Sequence, residues 1–326
     1  MMWNPWAQLL SQIEGRGGFV NAHSHLDRAY SVSLEDFEGT GAVNTHLRQK
    51  WQLVDKYKKD RTQEQYYKNI CVALSMQKEM GVSHCLSFID CDPIAGARAL
   101  EAALMAKEFA ARELKMRFLI ACQTLKGVFE SEARRFFEFA LPHVDIIGGL
   151  PGADGGREGE HLDVLLKAGK EYGKRVHVHV DQLNSPHEKE TELLARKTME
   201  WGMEGKVSAI HSISLGAHKK EYRSEVIKMC LDAHLSFIAC PTAWIDSRRS
   251  EVQTPTHNAV TPIDELIPAG LVVALGSDNI ADVYKPYSDG NMAVELKVLL
   301  ESTHFYDQKA LVDVATTNGL KVLGLA

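Results

Sequence analysis

The sequence lacks a disulfide framework. Its six cysteines, at positions 71, 85, 91, 122, 230 and 240, form no CxxC pair and no regular spacing. That excludes a cysteine-stapled scaffold and a structural zinc ribbon. Most of them lie in apolar runs, where a thiol acts as a small buried hydrophobe, and unpaired thiols suit a reducing compartment, so a cytoplasmic location is expected. Basic charge is also scarce. Lys and Arg number 37 against 43 Asp and Glu, a net charge of −6, and no basic stripe is interleaved with aromatics. Nucleic acid is therefore not expected as a partner. No uncharged apolar stretch reaches bilayer length, and the start Met1-Met2-Trp3-Asn4-Pro5 has no basic region leading into an apolar one, so no membrane partner is expected either. What is present is ordinary globular material: 326 residues, 45% hydrophobic and 25% charged, enough apolar side chain for one large core.

Two periodicities alternate along the chain. Eight short, nearly continuous apolar runs occur at Gly18–His23, Ser83–Ile89, Arg117–Cys122, Val144–Gly148, Arg175–Val180, Val207–His211, Leu235–Ala239 and Val272–Gly276. Runs without polar alternation fit strands covered on both faces. Between them lie helical stretches. Arg61–Met80 opens on a Thr62/Gln65 capping box and ends before Gly81. Pro93–Leu114 is long and Ala-rich, and Glu160–Tyr172 stops at Gly173. Pro186 can start a helix reaching Trp201. His218–Ala233, Gly290–Ser302 and a short segment from Thr261-Pro262 follow.

Strand and helix repeated eight times predict an α/β fold, a (β/α)8 TIM barrel, with an open doubly wound sheet as the rival. One domain takes up residues 1–326, with strand one beginning near Gly18. The polar stretch Tyr30–Asp60 reads as a long first loop with a partial helix, able to cover the mouth of a site. The Gly-rich segment 148–156 has neither P-loop nor dinucleotide spacing and reads as a loop after strand four.

Histidine and aspartate gather at the carboxyl ends of these strands. His23 and His25 close strand one, and residues i and i+2 of an extended segment point the same way. His177 and His179 repeat that spacing on strand five, His211 ends strand six, and Asp278 follows strand eight. A lone histidine beside an apolar run is usually a hydrogen-bonded core residue. Six polar groups at one end of a barrel are harder to place blandly, because burying each unsatisfied costs about 1–3 kcal/mol. Imidazole and carboxylate together suit a divalent metal. Cys85, Cys91 and Cys122 lack convincing ligand spacing.

With its HxHxD segment on strand one, HVxxDQ region on strand five, single strand-six histidine and SDN segment on strand eight, the sequence resembles the amidohydrolase superfamily, and most of all its cytosine deaminase-like branch of metal-dependent hydrolases. The resemblance runs from about Gly18 to Leu325. It implies His23, His25, His179 and Asp278 as ligands of one divalent ion, zinc foremost, with iron, manganese or nickel chemically admissible. It implies that His211 polarises the substrate, that Gln123 binds it, and that Asp278 doubles as proton acceptor. Two-metal members carry a lysine or glutamate on strand four. Val144–Gly149 has neither, which argues for one metal.

Two departures stand out. The branch's deaminases have a catalytic glutamate where this chain has Gln182, and an amide cannot shuttle a proton near neutral pH. The β-sandwich that usually flanks the barrel has no sequence assigned to it, so the barrel is expected to stand alone or to cover its bottom face by forming a homo-oligomer. Gln182 and Gln123 are then expected to hydrogen-bond a planar amide-like edge. Arg28 is a candidate for a substrate carbonyl or carboxylate, or else a salt-bridge residue. Trp244 and Asn279 are candidates for substrate contact, followed by Asp246, Arg248, Arg249, Asp282, Tyr284 and Tyr287. Asp181 faces away if strand five continues, and His177 sits one layer deeper than His179. The expected function is metal-dependent hydrolysis of a C–N bond in a small cyclic or amidine-like substrate, by a deaminase or a cyclic amidohydrolase. The alternatives are a catalytically inactive barrel that binds a small molecule and a metal-dependent phosphoesterase.

Overall fold

In the computed structural model of the chain, residues 3–38, 45, 47–245 and 259–326 are described, with Trp244 and Ile245 described in backbone only. Eight strands run β1 (Phe19–Ser24), β2 (Val82–Asp90), β3 (Arg117–Gln123), β4 (Ile146–Gly149), β5 (Val176–Val180), β6 (Val207–His211), β7 (Ser236–Ala239) and β8 (Val272–Leu275). They form one sheet in chain order, every ladder parallel. Helices between them make this the (β/α)8 TIM barrel that the sequence predicts. Among the described residues no other sheet is present, and no helix is long and apolar enough to cross a membrane.

The barrel closes by a short seam. β8 meets β1 through a single bridge between Ser24 and Asp278. Side chains extend it: Asn21 Nδ2 donates to Ser277 Oγ at 2.8 Å, and Ser277 N donates to Asn21 Oδ1 at 3.0 Å. Gly276 is needed here, since a Cβ would stand 2.8 Å from His23 Cβ and 2.9 Å from the Cys240 sulfur.

Alternate residues of each strand face the interior or the helices. Val20, Leu86, Phe88, Leu119, Ile146, Ile210, Ile238 and Ala274 fill the barrel, and Val322 and Leu323 of the helix Thr317–Leu323 join that cluster. A larger layer packs between sheet and helices. The capping box at Thr62 and Gln65 forms as expected and opens the helix Gln63–Glu79. Two helices start later than Pro93 and Pro186 suggest. Asp92 caps the turn at Ile94 and Ala95, so the helix begins at Arg98. Residues 181–189 are folded back by Asp181 and Glu188, so the next begins at Glu190. The long first loop carries the helix Leu47–Lys59. Its Val54 packs with Leu125, Leu150 and Val283, which follow β3, β4 and β8, and so lies across the mouth.

Candidate metal centre

The carboxyl ends of β1, β5, β6 and β8 converge on one point. His23 Nε2 and His25 Nε2 each lie 3.3 Å from Asp278 Oδ1. His25 Nε2 faces His179 Nε2 at 3.4 Å, and the His211 ring centre is 5.5 Å from those of His23 and His179. Donor atoms of His23, His25 and Asp278 lie within 4.8 Å of one another, and so do those of His23, His179 and His211. The backbone aims them. Asp278 N donates to His23 O at 3.0 Å and His25 N donates to Asp278 O at 3.2 Å, so the seam of the barrel sets the carboxylate beside both histidines. Thr261 Oγ1 donates to His211 O at 2.6 Å and holds the end of β6. Phe88 floors the centre, its ring centre 4.8 Å from that of His23 and 4.9 Å from that of His179. Gly148 gives that ring its room, since a Cβ there would lie 2.3 Å from the Phe88 ring.

The residues fit a divalent cation. His23 is fully buried, and neither of its ring nitrogens has a hydrogen-bond partner among the described residues. His179 Nδ1 donates to Gly149 O at 3.1 Å, which leaves Nε2 as a bare lone pair aimed into the cluster. His25 Nε2, 3.4 Å from it and 3.3 Å from Asp278 Oδ1, completes a cluster of atoms that can serve as ligands to one cation. Burial sets the protonation states. It pushes His25 down to about 3, helped by Arg28, His211 to about 3, and His179 well below the ordinary histidine range. Burial alone would raise the Asp278 carboxyl, but the imidazoles of His23 and His25 facing its Oδ1 at 3.3 Å hold it well below the carboxylate range. Neutral imidazoles and one carboxylate are the protonation states that metal ligation requires.

The amidohydrolase family profile matches residues 139–326. An uncharacterized protein of Haemophilus influenzae is 46% identical over 260 residues, 79% of this chain and 93% of that one. The chain belongs to the amidohydrolase family. It is a hydrolytic enzyme acting on C–N bonds other than peptide bonds. This amidohydrolase is also 26% identical, over 96% of its length and 77% of the relative's, to N-isopropylammelide isopropyl amidohydrolase of Pseudomonas sp. (strain ADP). The structure of 5-methylcytosine deaminase from Klebsiella pneumoniae liganded with 5-fluorocytosine superposes with a TM-score of 0.87 at 26% identity, covering 96% of this chain and 77% of that one.

The other candidate residues of this amidohydrolase fall into distinct places. Gln123, at the end of β3, donates from Nε2 to Asp90 Oδ1 at 3.0 Å, with a longer 3.4 Å contact to His25 Nδ1, and its Oε1 is buried without a partner. Arg28 is buried in a salt bridge with Asp90 (3.3 Å), 3.9 Å from Asp282, with its guanidinium over the Tyr284 ring. Asn279 donates to Asp282 within its own loop at 2.5 Å. Gln182 is half-buried and hydrogen-bonds to none of these residues. Asp181 has φ +55° and accepts from Glu190 N and Thr191 N, so β5 ends at Val180 and Asp181 staples a helix start instead of facing the site. His177 pairs Nε2 with Val322 O at 3.0 Å, away from the cluster. The half of the 30–60 stretch that carries Lys58 contributes more than a cover. Lys58 reaches Asp90 and Asp92 at the exit of β2. The Trp244 side chain, Asp246, Arg248 and Arg249 lie outside the described residues.

Sequence reasoning did not single out Asp90, Asp92, Lys58 or Phe88. Asp90-Cys91-Asp92 repeats at the end of β2 the i, i+2 spacing of His23 and His25, and that was the available signal. Nothing in the sequence marks Lys58 among its lysine neighbours.

Proposed function

We propose that this amidohydrolase holds one divalent ion, zinc foremost, between His23, His25, His179 and Asp278, and hydrolyses an exocyclic or ring C–N bond of a small planar nitrogen heterocycle. The observation that carries the reading is the His23 imidazole, fully buried and without a hydrogen-bond partner among the described residues, in a cluster of atoms that can serve as ligands. Similarity to an isopropylammelide amidohydrolase and a 5-methylcytosine deaminase supports the substrate class. When bound, the ion supplies Lewis acidity, which makes a water acidic enough to attack near neutral pH.

The chain's own groups do the rest. Asp278 engages His23 and His25 through Oδ1, leaving Oδ2 to accept a proton from the attacking water and to pass it to the leaving nitrogen. His211, neutral and close to His23 and His179, donates a hydrogen bond to the oxygen or nitrogen that gains charge in the tetrahedral intermediate. Asp90 holds the amide NH2 of Gln123, so the side chain presents its carbonyl oxygen, and the substrate edge it selects carries an N–H. Phe88 and the lid helix Leu47–Lys59 exclude bulk water. Gln182 cannot relay protons as a glutamate would, so the proton traffic falls to Asp278 and ordinary cytosine deamination is disfavoured.

A panel of amino- and oxo-substituted pyrimidines, triazines and pterins tests this, with ammonia or amine release as readout. Turnover by the zinc-loaded protein, lost in His179→Ala, is expected. One equivalent of metal with no turnover of any C–N substrate would overturn the reading. Strong cytosine deamination by the unaltered protein would overturn the role given to Gln182, and Gln182→Glu should raise that activity.

A further inference from the structure

The exit of β8 is held from behind by a buried ion pair. Asp278 sits at φ +59°, in the left-handed region that a non-glycine residue keeps only where its surroundings fix it. Its own N–H and carbonyl are taken by β1 and the residue beyond His23 and Ser24, through His23 O and His25 N. The next handle on this backbone is the carbonyl of Ser277, and Lys285 Nζ donates to it at 2.7 Å. Lys285 is 1% exposed, and its charge is met by Glu295 Oε1 at 2.9 Å. Glu295, equally buried in the helix Met292–Thr303, also accepts from Thr242 Oγ1 at 2.6 Å and from Thr242 N at 3.1 Å. Thr242 lies just past β7. One buried ion pair therefore ties the exits of β7 and β8 to a single helix.

A buried ion pair is seldom the most stable way to fill space, and apolar residues of similar volume often serve as well or better. An apolar pair could not grip the Ser277 carbonyl. We propose that Lys285, braced by Glu295, is a positioning residue that fixes where the Asp278 carboxylate stands beside His23 and His25, so that metal affinity depends on a pair of side chains that touch no ion. The proposal rests on the reading of the histidine–aspartate cluster as a metal centre.

The test is zinc affinity of the full-length protein. Protein stripped with a chelator is titrated with zinc against a chromophoric competitor, and the visible spectrum of the cobalt-loaded form is recorded. Two variants are compared with the unaltered chain. Glu295→Gln keeps size but removes the counter-charge and one of the two acceptor oxygens, and the double variant Lys285→Met/Glu295→Leu leaves no uncompensated charge. The unaltered protein should bind one zinc, lost in His23→Ala. Glu295→Gln should keep its circular dichroism, melt lower without metal because Lys285 loses its counter-charge, and bind zinc about tenfold or more weakly, with a shifted cobalt spectrum. The double variant should weaken binding at least as much. Zinc affinity and cobalt spectrum unchanged in a folded variant would overturn the positioning role. Failure of the unaltered protein to bind zinc at a site that His23→Ala removes would instead overturn the metal-centre reading, and the proposal with it. Should the double variant not fold, Glu295→Gln alone decides.

Discussion

Two buried polar clusters stand side by side at the carboxyl end of the barrel, and they are finished to different degrees. In the first, Arg28 and Lys58 meet Asp90, Lys58 also meets Asp92, and Gln123 donates into the same carboxylate. Each of these cations has a carboxylate within the chain. In the second, His23 has no hydrogen-bond partner among the described residues, and His25 and His179 turn their Nε2 atoms toward one another at 3.4 Å. Buried groups left unsatisfied cost about 1–3 kcal/mol each. In the first cluster each cation faces at least one carboxylate of the chain. The second is the cluster to which the proposed divalent cation is assigned. Within β5, His177 turns its Nε2 away to Val322 O, and His179 turns its Nε2 into the cluster.

The contrast breaks most visibly at Asp278. Asp278→Ala should lower kcat/KM on any C–N substrate found in the panel by at least about 10³-fold, roughly 4 kcal/mol, while circular dichroism shows the fold retained. Retained activity would mean that the second cluster is not the reacting one. Lys58→Met attacks the paired cluster. It leaves Asp90 and Asp92 short of a cation, and loss of one partner of a buried pair costs about 3–5 kcal/mol. Urea unfolding should show that loss, with zinc stoichiometry unchanged at one per chain.

How far the sequence could anticipate this difference depends on how each cluster is built. His23, His25, His179 and Asp278 were legible because strand periodicity aims i and i+2 alike and because a barrel collects all strand ends at one face. The barrel itself was legible from eight apolar runs. The paired cluster was not, because Lys58 comes from a helix folded across the mouth, and no local pattern fixes where such a helix docks. The starts of the helices at Arg98 and Glu190 were misplaced for a related reason. Pro93 and Pro186 are good first-turn residues, but side chains of Asp92, Asp181 and Glu188 hold the intervening backbone in turns. Lys285 and Glu295 were invisible because their partners are backbone atoms at strand exits.

Acid sharpens the contrast more gently. Burial alone would raise the Asp90 carboxyl, yet Lys58 and Arg28 outweigh it and hold Asp90 below the ordinary carboxylate range. A depressed pKa stabilises the fold above the unfolded value, near 4, and that contribution fades as pH falls through the lower folded value. The stability gap between the unaltered protein and Asp90→Asn, measured in urea without metal, should shrink as pH falls below about 4. A gap that grew toward low pH would contradict the pairing. The smallest effect is expected at His177. His177→Asn should cost about 1 kcal/mol through the lost bond to Val322 and leave zinc affinity as it was. Weaker zinc binding there would enlist His177 in the centre.

Crystals of the zinc-loaded protein, measured for anomalous scattering at the zinc absorption edge, test the central claim most directly. One peak is expected, about 2.0–2.2 Å from His23 Nε2, His25 Nε2, His179 Nε2 and an oxygen of Asp278. A zinc-loaded crystal with no peak among those four side chains would contradict the account.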